Sequence, residues 1–448
     1  MYTMILPSAV QAAIERLQQH GFEAYIVGGC VRDALLHTTA QDWDLTTNAH
    51  PEQILQCFHD FHVIETGMQH GTVTVIIDAM PLEITTYRVD GAYTDHRRPD
   101  SVQFTTSLTE DLARRDFSIN AMAYHPQKGL IDPFGGQQDL AAKTISCVGD
   151  PTQRFQEDGL RILRALRFAS RLDFSIAEET AKAIHQQKDL LHHISAERIF
   201  SELTKLLCGN AASKQLLQYP DVLFTVLPTL QPMYQFDQKN PYHAYDVYTH
   251  TCMVIENVPP QPALRWAALL HDSGKPHTFT MDARGGHFYN HAEHSVVIAK
   301  EILMQLKSDR KTMDRVLTLV KHHDTVFSGS ETQMKRLAHR LGTDGLRDLI
   351  LLHRGDVSAQ AEHLRQERLA QSDMLLTLLD ELERKNTCLT FRDLHISGDD
   401  LIAMGMQPGV ALGNCLRRLL DAVLDNQLSN DKAALMEAAA QYLNNNPQ

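Results

Sequence analysis

Two aspartates close behind a double glycine constrain what this chain can fold into more than any other feature. Residues 24–27 read as a short apolar strand that runs into Gly28 and Gly29, and a helical stretch follows. A second predicted strand then carries Asp42 and Asp44. Because successive strand side chains alternate, both carboxylates share one face, about 6–7 Å apart along the strand. The pattern predicts a strand–turn–helix unit beside an acidic strand.

This arrangement offers the ligands and the backbone that transfer of a nucleotide requires. Two carboxylates at such a spacing can hold two Mg²⁺ ions about 3.5–4 Å apart, the geometry of in-line phosphoryl or nucleotidyl transfer. Gly28 and Gly29 let a backbone approach a triphosphate closely, and the helix start behind them offers N–H groups to anions. The two halves together indicate a nucleotidyltransferase, although either half alone is a weak signal.

The composition is typical of a globular protein with several domains. Of the 448 residues, 43% are apolar and 22% are charged. The formal charge of −13 argues against a generally basic nucleic-acid coat but leaves room for a local basic stripe. Seven cysteines without a C-x-x-C pair fit a reduced cytosol. Since we find neither a signal peptide nor a run of about 18 apolar residues, we expect a cytoplasmic protein without a membrane span.

Four regions follow one another along the chain. Strand and helix patterns alternate in the first region, and the pattern from about residue 150 onward is almost entirely helical. A Pro-, Gln- and Tyr-rich stretch at residues 228–243 reads as a linker into a histidine-rich helical segment. We predict an α+β protein with a head at 1–148, a helical neck at 149–227, a metal-binding domain at 228–363 and a helical tail at 364–448.

Polar residues further along the head extend the candidate site. Glu83 lies on a predicted strand, where it is either a third carboxylate for the metal ions or an ordinary solvated residue. Residues 87–110 form a long polar connection whose basic residues are Arg88, His96, Arg97 and Arg98. It leads to Arg114 and Arg115, which can neutralise the charge that develops during transfer. Asn120 and its apolar neighbours favour a partly buried helix start over a surface charge pair.

An acidic and a basic residue in the neck predict recognition of a base. On one helix, Asp158 and Arg161 would lie three residues apart and share a face. Aspartate only accepts hydrogen bonds and arginine only donates them, so the pair matches the Watson–Crick edge of cytosine, and a small rotation would let adenine use it. An ordinary salt bridge is the alternative. Arg164, Arg167 and Arg171 continue the helical stripe without an acid, which favours phosphate-backbone contacts over a solvated basic face.

Taken together, these motifs resemble those of the class II tRNA nucleotidyltransferases, the CCA-adding enzymes. The resemblance is specific over about residues 20–210 and looser from there to the C-terminus. The segments that carry it are Gly28-Gly29-Cys30-Val31-Arg32-Asp33 with Asp42-Trp43-Asp44, Arg114-Arg115-Asp116-Phe117-Ser118-Ile119-Asn120-Ala121, Asp132-Pro133-Phe134-Gly135-Gly136, Glu157-Asp158 with Arg161, and Ala196-Glu197-Arg198-Ile199.

The resemblance implies a nucleotidyltransferase head like that of DNA polymerase beta, with a five-stranded sheet, followed by a helical neck, body and tail. It implies template-independent addition of C, C and A to tRNA from CTP and ATP. Catalysis would rest on Asp42 and Asp44, which would hold Mg²⁺, and on Arg115. The implied nucleotide-binding residues are Gly28, Gly29, Arg32, Arg115, Asp116, Asn120, Asp158, Arg161 and Arg164. RNA is expected along Arg164, Arg167 and Arg171 and at the tail.

Several alternatives stay open at this point. Bacterial poly(A) polymerases share the head motifs, and so do enzymes that add only C-C or only A. The acidic overall charge favours tRNA as the substrate, and the long loop after Tyr87 favours addition of the full CCA. From other classes, the chain could be a phosphohydrolase with an inactive nucleotide-sensing head, or a non-catalytic RNA-binding protein. The pattern does not determine the oligomeric state.

Twelve of the 24 histidines lie between residues 243 and 363, and some occur in the order expected of metal ligands. Imidazole and carboxylate groups together suit divalent Ni²⁺, Mn²⁺ or Co²⁺. The candidate ligands are His250, His271, Asp272, His291 (or His294), His322, His323 and Asp356. The His271-Asp272 pair resembles the signature of HD-domain phosphohydrolases. That resemblance implies a metal-dependent phosphohydrolase or cyclic phosphodiesterase, and an inactive scaffold is the alternative.

Overall fold

A mixed sheet near the N-terminus and helices elsewhere make up the structure, which is a computed structural model. It describes residues 3–40, 42–91, 102–239, 244–283 and 285–445. Three basic residues of the predicted polar connection (His96, Arg97 and Arg98) lie outside the described residues. The chain divides into two units, Met1–Pro228 and Thr229–Gln448.

The described part of the first unit contains eleven strands, some of which build the sheet beside the acidic residues. They are β1 (Ala24–Val27), β2 (Trp43–Thr47), β3 (His62–Ile64), β4 (Thr72–Ile77), β5 (Met80–Thr86), β6 (Arg88–Asp90), β7 (Val102–Phe104), β8 (Ala123–His125), β9 (Gly129–Ile131), β10 (Thr144–Ile145) and β11 (Ser175–Ile176). In the described part of the unit, seven of them form one sheet in the order β3–β4–β5–β2–β1–β8–β9. Strands β2 and β5 are parallel, and the other neighbours are antiparallel.

The expectation of a five-stranded sheet is wrong in number, since the sheet of the described residues has seven strands. The two additional strands, β8 and β9, are each three residues long. Such short strands carry too few alternations to be recognised from the sequence. Strand β1 is buried along its whole length, because it lies between β2 and β8 in the middle of the sheet.

Helices surround this sheet and continue beyond it. They are α1 (Ser8–Gln19), α2 (Gly29–Leu35), α3 (Pro51–Cys57), α4 (Leu108–Ala113), α5 (Gly136–Ala141), α6 (Pro151–Glu157), α7 (Leu160–Leu172), α8 (Glu178–Gln187), α9 (Ala196–Leu207), α10 (Ala212–Gln218) and α11 (Pro220–Val226). Helix α7 packs against α9 and buries Ile162, Leu166 and Ala169. Arg164, Arg167 and Arg171 lie on the less buried side of α7, whereas Arg161 is buried with the apolar residues.

In its described part, the second unit is helical apart from one hairpin. Its elements are α12 (Val247–Asn257), α13 (Pro262–Leu270), α14 (Lys275–Thr278), β12 (Thr280–Asp282), β13 (Gly285–His287), α15 (His291–Gln305), α16 (Arg310–His322), α17 (Glu331–Leu341), α18 (Thr343–Ser358), α19 (Glu362–Arg384), α20 (Gly398–Ala403), α21 (Val410–Leu424) and α22 (Lys432–Asn445). Helices α12, α13, α15, α16 and α18 form a connected packing group. Among the described residues, no helix combines the length and the apolar character needed to cross a membrane.

Candidate functional site

A cavity of about 560 Å³ in the first unit gathers the residues predicted to bind nucleotide and RNA. Its lining consists of Gly28, Gly29, Arg32, Asp42, Asp44, Arg114, Arg115, Asp116, Asn120, Asp158, Arg161, Arg164, Arg167, Phe168, Arg171 and Arg198. These residues come from segments far apart in the sequence, and the fold brings them to one place. Eight arginines and four aspartates make the cavity strongly polar. Such a surface suits a multiply charged anion far better than an apolar ligand.

The glycine turn after β1 brings two functional groups close together. Gly28 has φ 78° and ψ −134°, a conformation that residues with a side chain rarely adopt. A Cβ atom at this position would lie 3.0 Å from Arg115 Nη1 and 3.7 Å from Asp44 Oδ2. Glycine is therefore needed both for the turn and for the close approach of the arginine. Helix α2 begins directly after it, as the sequence predicted.

Three carboxylates stand near one another at this edge of the sheet. Asp42 immediately precedes β2, and Asp44 is the second residue of that strand. The parallel pairing of β2 with β5 places Glu83 opposite Asp44. Burial raises the pKa of Asp44 to about 6, Glu83 and Asp42 add to the rise, and Arg115 opposes it. A divalent cation would stabilise the ionised group, so these oxygen ligands fit Mg²⁺.

Glu83 differs from the two aspartates in its surroundings. Its side chain is exposed and lies outside the cavity lining, yet it is close enough to influence Asp44. That Glu83 is a third carboxylate for the metal ions stays a prediction.

A buried ion pair connects the head motif with helix α7. Asp116 is 8% exposed and accepts hydrogen bonds from Arg164 Nε at 2.8 Å and Asn120 Nδ2 at 3.1 Å. Asn120 Oδ1 in turn accepts a hydrogen bond from Arg32 Nη1 at 2.7 Å. Burial raises the pKa of Asp116, but Arg164, Asn120 and Arg161 together outweigh it and the pKa falls to about 2. Asp116 is thus an anion that holds Arg164 and Asn120 in the cavity wall.

The structure corrects the prediction that Asp158 and Arg161 share a helix face. Asp158 is extended, with φ −141° and ψ 103°, and separates α6 from α7. Its Oδ1 accepts from the backbone N–H of Leu160 at 3.1 Å, a capping contact that explains the break. Both side chains still line the cavity. Among the described ion pairs none joins them, since Asp158 pairs with Arg198 at 2.7 Å and Arg161 with Glu157 at 2.6 Å.

Arg198 was missed as a site residue, although it lies within a segment that carried the family resemblance. The signal available in the sequence was that segment alone, because 40 residues separate Arg198 from its partner Asp158. Arg164, Arg167 and Arg171 all reach the cavity, as expected of one helical stripe. Arg167 pairs with Glu202 at 3.1 Å and lies over the ring of Phe168 at 4.1 Å. The acid that balances this arginine comes from α9, so the sequence of α7 does not reveal it.

The second unit gathers six of the seven predicted metal ligands into two groups that share Asp272. His250, His271, Asp272 and Asp356 form one group, and Asp272, His291 and His323 form the other. In each group the possible ligand atoms lie within 4.8 Å of one another. The residues come from α12, the end of α13, α15, the end of α16, and α18. A cavity of about 540 Å³ opens onto the cluster.

The hydrogen bonds of the imidazole rings favour a cation at this cluster. The Nδ1 atoms of His271, His291 and His323 lie 2.8, 2.8 and 2.6 Å from backbone carbonyl oxygens, which only accept. In a neutral ring the proton is then on Nδ1, and Nε2 carries a lone pair. Two such atoms, those of His291 and His323, face each other at 3.0 Å. Facing lone pairs repel each other, so a proton or a metal ion is needed between them.

Burial and the neighbouring carboxylates shift the pKa of His271 in opposite directions. Burial lowers the pKa of His271, but Asp272 and Asp356 outweigh it and raise it to about 10. His271 Nε2 has no hydrogen-bond partner, although Asp272 Oδ2 is 3.2 Å away. Asp272 also forms an ion pair at 2.8 Å with Lys275, three residues further along the chain. The chemistry of this donor set fits a divalent transition metal.

The prediction that His322 is a ligand is wrong. Successive helix residues point about 100° apart, so His322 and His323 at the end of α16 cannot both face the cluster. His323 does, and His322 lines a separate cavity with Arg336 and Arg340. His291 is the member of the cluster rather than the alternative His294.

Comparison with known protein families matches three parts of the chain. Residues 24–146 match the poly A polymerase head domain, and residues 173–233 match a probable RNA and SrmB-binding site of polymerase A. Residues 287–439 match a putative domain 2 of tRNA nucleotidyltransferase. The matched ranges cover most of both units.

Several curated relatives carry the name CCA-adding enzyme. The one from Geobacillus sp. (strain WCH70) is 33% identical over 431 residues, which is 95% of this chain and 94% of the relative. The one from Pediococcus pentosaceus is 33% identical over 431 residues, 96% of each chain.

Solved structures of proteins with this name also resemble the chain. The Bacillus stearothermophilus CCA-adding enzyme in complex with CTP is 27% identical, covers 99% of this chain and 100% of its own, and has a TM-score of 0.71. The Thermotoga maritima CCA-adding enzyme complexed with tRNA shares the fold at 22% identity, with a TM-score of 0.59 over 98% of this chain and 96% of its own.

The glycine turn can be tested with one methyl group. We expect Gly28→Ala to lower the affinity for a nucleoside triphosphate at least about tenfold in equilibrium binding, because the new Cβ strains the backbone and displaces Arg115. Gly149→Ala is the matched control, since Gly149 has φ 70° and an added Cβ there meets no atom within 4 Å. Wild-type affinity for the nucleoside triphosphate in both variants would contradict this account of the turn.

The raised pKa of Asp44 predicts pH-dependent metal binding. A protonated carboxyl group is a poor ligand, so we expect the affinity for Mg²⁺ to fall as the pH drops through about 6. Glu83→Gln removes one of the influences that raise this pKa, and the midpoint should then move to lower pH. Calorimetric titrations with Mg²⁺ at pH values from about 4.5 to about 8 measure the affinity and the pH at which it falls by half. A midpoint that Glu83→Gln leaves in place would show that Glu83 does not act on Asp44.

Proposed function

The chain belongs to the CCA-adding enzymes, the class II tRNA nucleotidyltransferases, and on that basis we propose that the cavity of the first unit adds C, C and A to the 3′ end of tRNA from CTP and ATP. One observation carries the assignment: Asp42, Asp44 and Arg115 meet at the Gly28 turn. The chain spans 94% of a relative with this name, so the proposal concerns the whole enzyme rather than a shared head.

Each part of the cavity has a distinct task in this proposal. Asp42 and Asp44 hold Mg²⁺, which when bound neutralises the triphosphate and orients it for in-line attack. The backbone N–H groups at the Gly28 turn would donate hydrogen bonds to phosphate oxygens. Arg115 stands beside Asp44 and stabilises the negative charge that develops during transfer. Arg32 and Arg164, fixed through Asn120 and Asp116, provide further donors in fixed positions.

Base selection is assigned to Asp158 and Arg161 without a nucleic-acid template. Asp158 accepts a hydrogen bond from the amino group of cytosine or adenine, and Arg161 donates to a ring acceptor. Their neighbours hold them in place: Arg198 binds Asp158, while Glu157 and the backbone oxygen of Arg114 bind Arg161. Because hydrogen bonds to neighbouring residues hold both groups, the pair presents a fixed edge to the incoming base.

The rest of the chain is proposed to bind tRNA. The arginine stripe of α7 lies beside the catalytic residues, where the 3′ end of an acceptor strand would enter. We assign the head to 1–148, the neck to 149–227, the metal-binding domain to 228–363 and the tRNA-contacting tail to 364–448. We also place the enzyme in the cytoplasm, since its seven cysteines, all within the described residues, form no disulfide.

The transferase assignment predicts the outcome of a single substitution. We expect Asp42→Ala to reduce CMP and AMP incorporation by at least about a thousandfold, because removing a metal ligand removes charge stabilisation in the transition state. The assay uses tRNA lacking none, one, two or three terminal nucleotides, with sequencing of the products. Asp60→Ala is the control, because Asp60 lies in the same unit and is half exposed.

The products also decide between the family members. Restoration of CCA and then arrest supports the proposal. Products that stop at C-C, or poly(A) tails, would assign the chain to the other enzymes with this head. Wild-type rates in the Asp42→Ala variant would remove the metal assignment.

We further propose that the histidine cluster is a metal-dependent phosphohydrolase site of the HD type. The observation that supports it is the convergence of four histidines and two carboxylates into two groups that share Asp272, with His291, His323, Asp272 and Asp356 lining a cavity. Ni²⁺, Mn²⁺ or Co²⁺ would bind there and supply Lewis acidity toward a phosphoryl group. Lys275 and Arg368 line the same cavity and attract a phosphate. Phosphomonoesters and 2′,3′-cyclic phosphates at RNA ends are the substrate class.

The cluster predicts metal-dependent hydrolysis that is separate from nucleotide addition. With Ni²⁺ or Mn²⁺ present, we expect wild-type protein to hydrolyse a 2′,3′-cyclic nucleotide and His271→Ala to lose this activity while it retains CCA addition. His322→Ala is the matched control, since His322 lies outside the cluster. Metal binding should also release protons near pH 7, because the pKa of His271 is about 10 in the metal-free protein. Absence of both bound metal and hydrolysis would leave this unit as a scaffold.

A further inference from the structure

A buried aspartate lies near the nucleotide cavity without being part of its lining. Asp111 lies on α4, is 0% exposed, and is not among the residues that line the cavity. A buried carboxylate costs free energy unless charged or polar donors surround it. Its surroundings therefore show what the fold uses it for.

Donors from three directions meet at this carboxylate. Oδ1 accepts from Arg114 Nε at 3.0 Å and Nη2 at 2.8 Å, and from the backbone N–H of Arg88 at 3.3 Å. Oδ2 lies 3.1 Å from the hydroxyl of Thr46 and 3.7 Å from Arg115 Nη2. Each oxygen thus faces one of the two arginines.

These partners connect the carboxylate to the reacting end of the cavity. Thr46 lies two residues after Asp44 on β2, so both side chains are on the same face of the strand. Arg115 Nη1 lies within 3.0 Å of the Cβ position of Gly28, beside Asp44. Arg115 Nε is buried without a hydrogen-bond partner, so the nearby carboxylate is the main feature that fixes the guanidinium group. Burial lowers the pKa of Arg115, and Asp111 is the largest opposing influence.

We propose that Asp111 is a positioning residue for nucleotidyl transfer, which holds the Arg114–Arg115 pair at a fixed distance from the metal-binding strand β2. Asp111 itself does not touch the nucleotide. It acts through Arg115, whose charge must be in place when negative charge develops on the transferred phosphoryl group. The inference rests on the proposed transfer in this cavity and goes beyond it by assigning a residue that no motif of the sequence singled out.

Steady-state kinetics of CMP addition test the assignment. We expect Asp111→Asn, which keeps the shape and removes the charge, to lower kcat about 10- to 100-fold and to change KM for CTP less than about threefold. Asp221→Asn is the matched control in the same unit, because Asp221 also pairs with two basic groups, His185 and Lys188, but lies outside the cavity. Its kcat should stay within about twofold of wild type.

A double-mutant cycle separates positioning from a merely structural role. In an Arg115→Ala background, Asp111→Asn should lower kcat less than about twofold further, because the group through which it acts is gone. The proposal is overturned if folded Asp111→Asn keeps wild-type kcat, or if it costs the same factor with and without Arg115. If wild-type protein adds no CMP, the proposed function itself fails. This result differs from the two outcomes that overturn the positioning role alone.

A charge-balanced variant keeps the test valid if Asp111→Asn does not fold. Asp111→Asn combined with Arg114→Met removes one anion and one cation together, and Arg114→Met alone is its reference. The positioning role predicts a further loss of kcat of at least about tenfold from the aspartate change, since Arg115 has lost its anchor in the double variant only. Equal kcat in these two proteins would overturn the proposal.

Discussion

Pairing between buried carboxylates and guanidinium groups is the interaction on which the nucleotide cavity depends. Arginines that line the cavity would repel one another in a low-dielectric wall if no acids lay behind them. Asp111 faces Arg114 and Arg115, and Asp116 accepts two hydrogen bonds from Arg164. Asp111 lies outside the cavity lining, whereas Asp116 is part of the cavity wall beside Arg164. The arrangement fixes the donors in advance, so binding and transfer need little reorganisation of the wall.

The carboxylates at the sheet edge, in contrast, are not fully compensated by basic groups of the protein. Asp42 and Asp44 lie in the cavity itself, and the neighbouring Glu83 adds to the rise in the pKa of Asp44. Incomplete compensation of an anion is what a cation site requires. The histidine cluster of the second unit repeats this principle with softer ligands, since its Nε2 atoms converge on Asp272 and Asp356. In both units the polar groups that the protein does not satisfy internally indicate where an ion belongs.

Much of the fold and of the first site could be predicted, because the informative residues are close in sequence or carry a strong local pattern. The turn at Gly28 and the strand with Asp44 depend on neighbouring residues alone. The break at Asp158 could not be predicted, since a capping hydrogen bond to Leu160 competes with helix continuation and both outcomes suit the sequence. The short strands β8 and β9 gave no readable pattern, and they form because β1 offers an unpaired edge to β8.

The sequence by itself determined which chemistry is available: carboxylates beside a glycine turn, a basic helical stripe and a series of histidines with metal-ligand order. Only the tertiary structure decided how these groups are paired. It set Arg198 against Asp158, Glu202 against Arg167 and Asp111 against two arginines, and it excluded His322 from the cluster that contains His323. The physical reason is that local patterns fix the face on which a side chain emerges, whereas its partner is chosen by packing between elements that are distant in the chain.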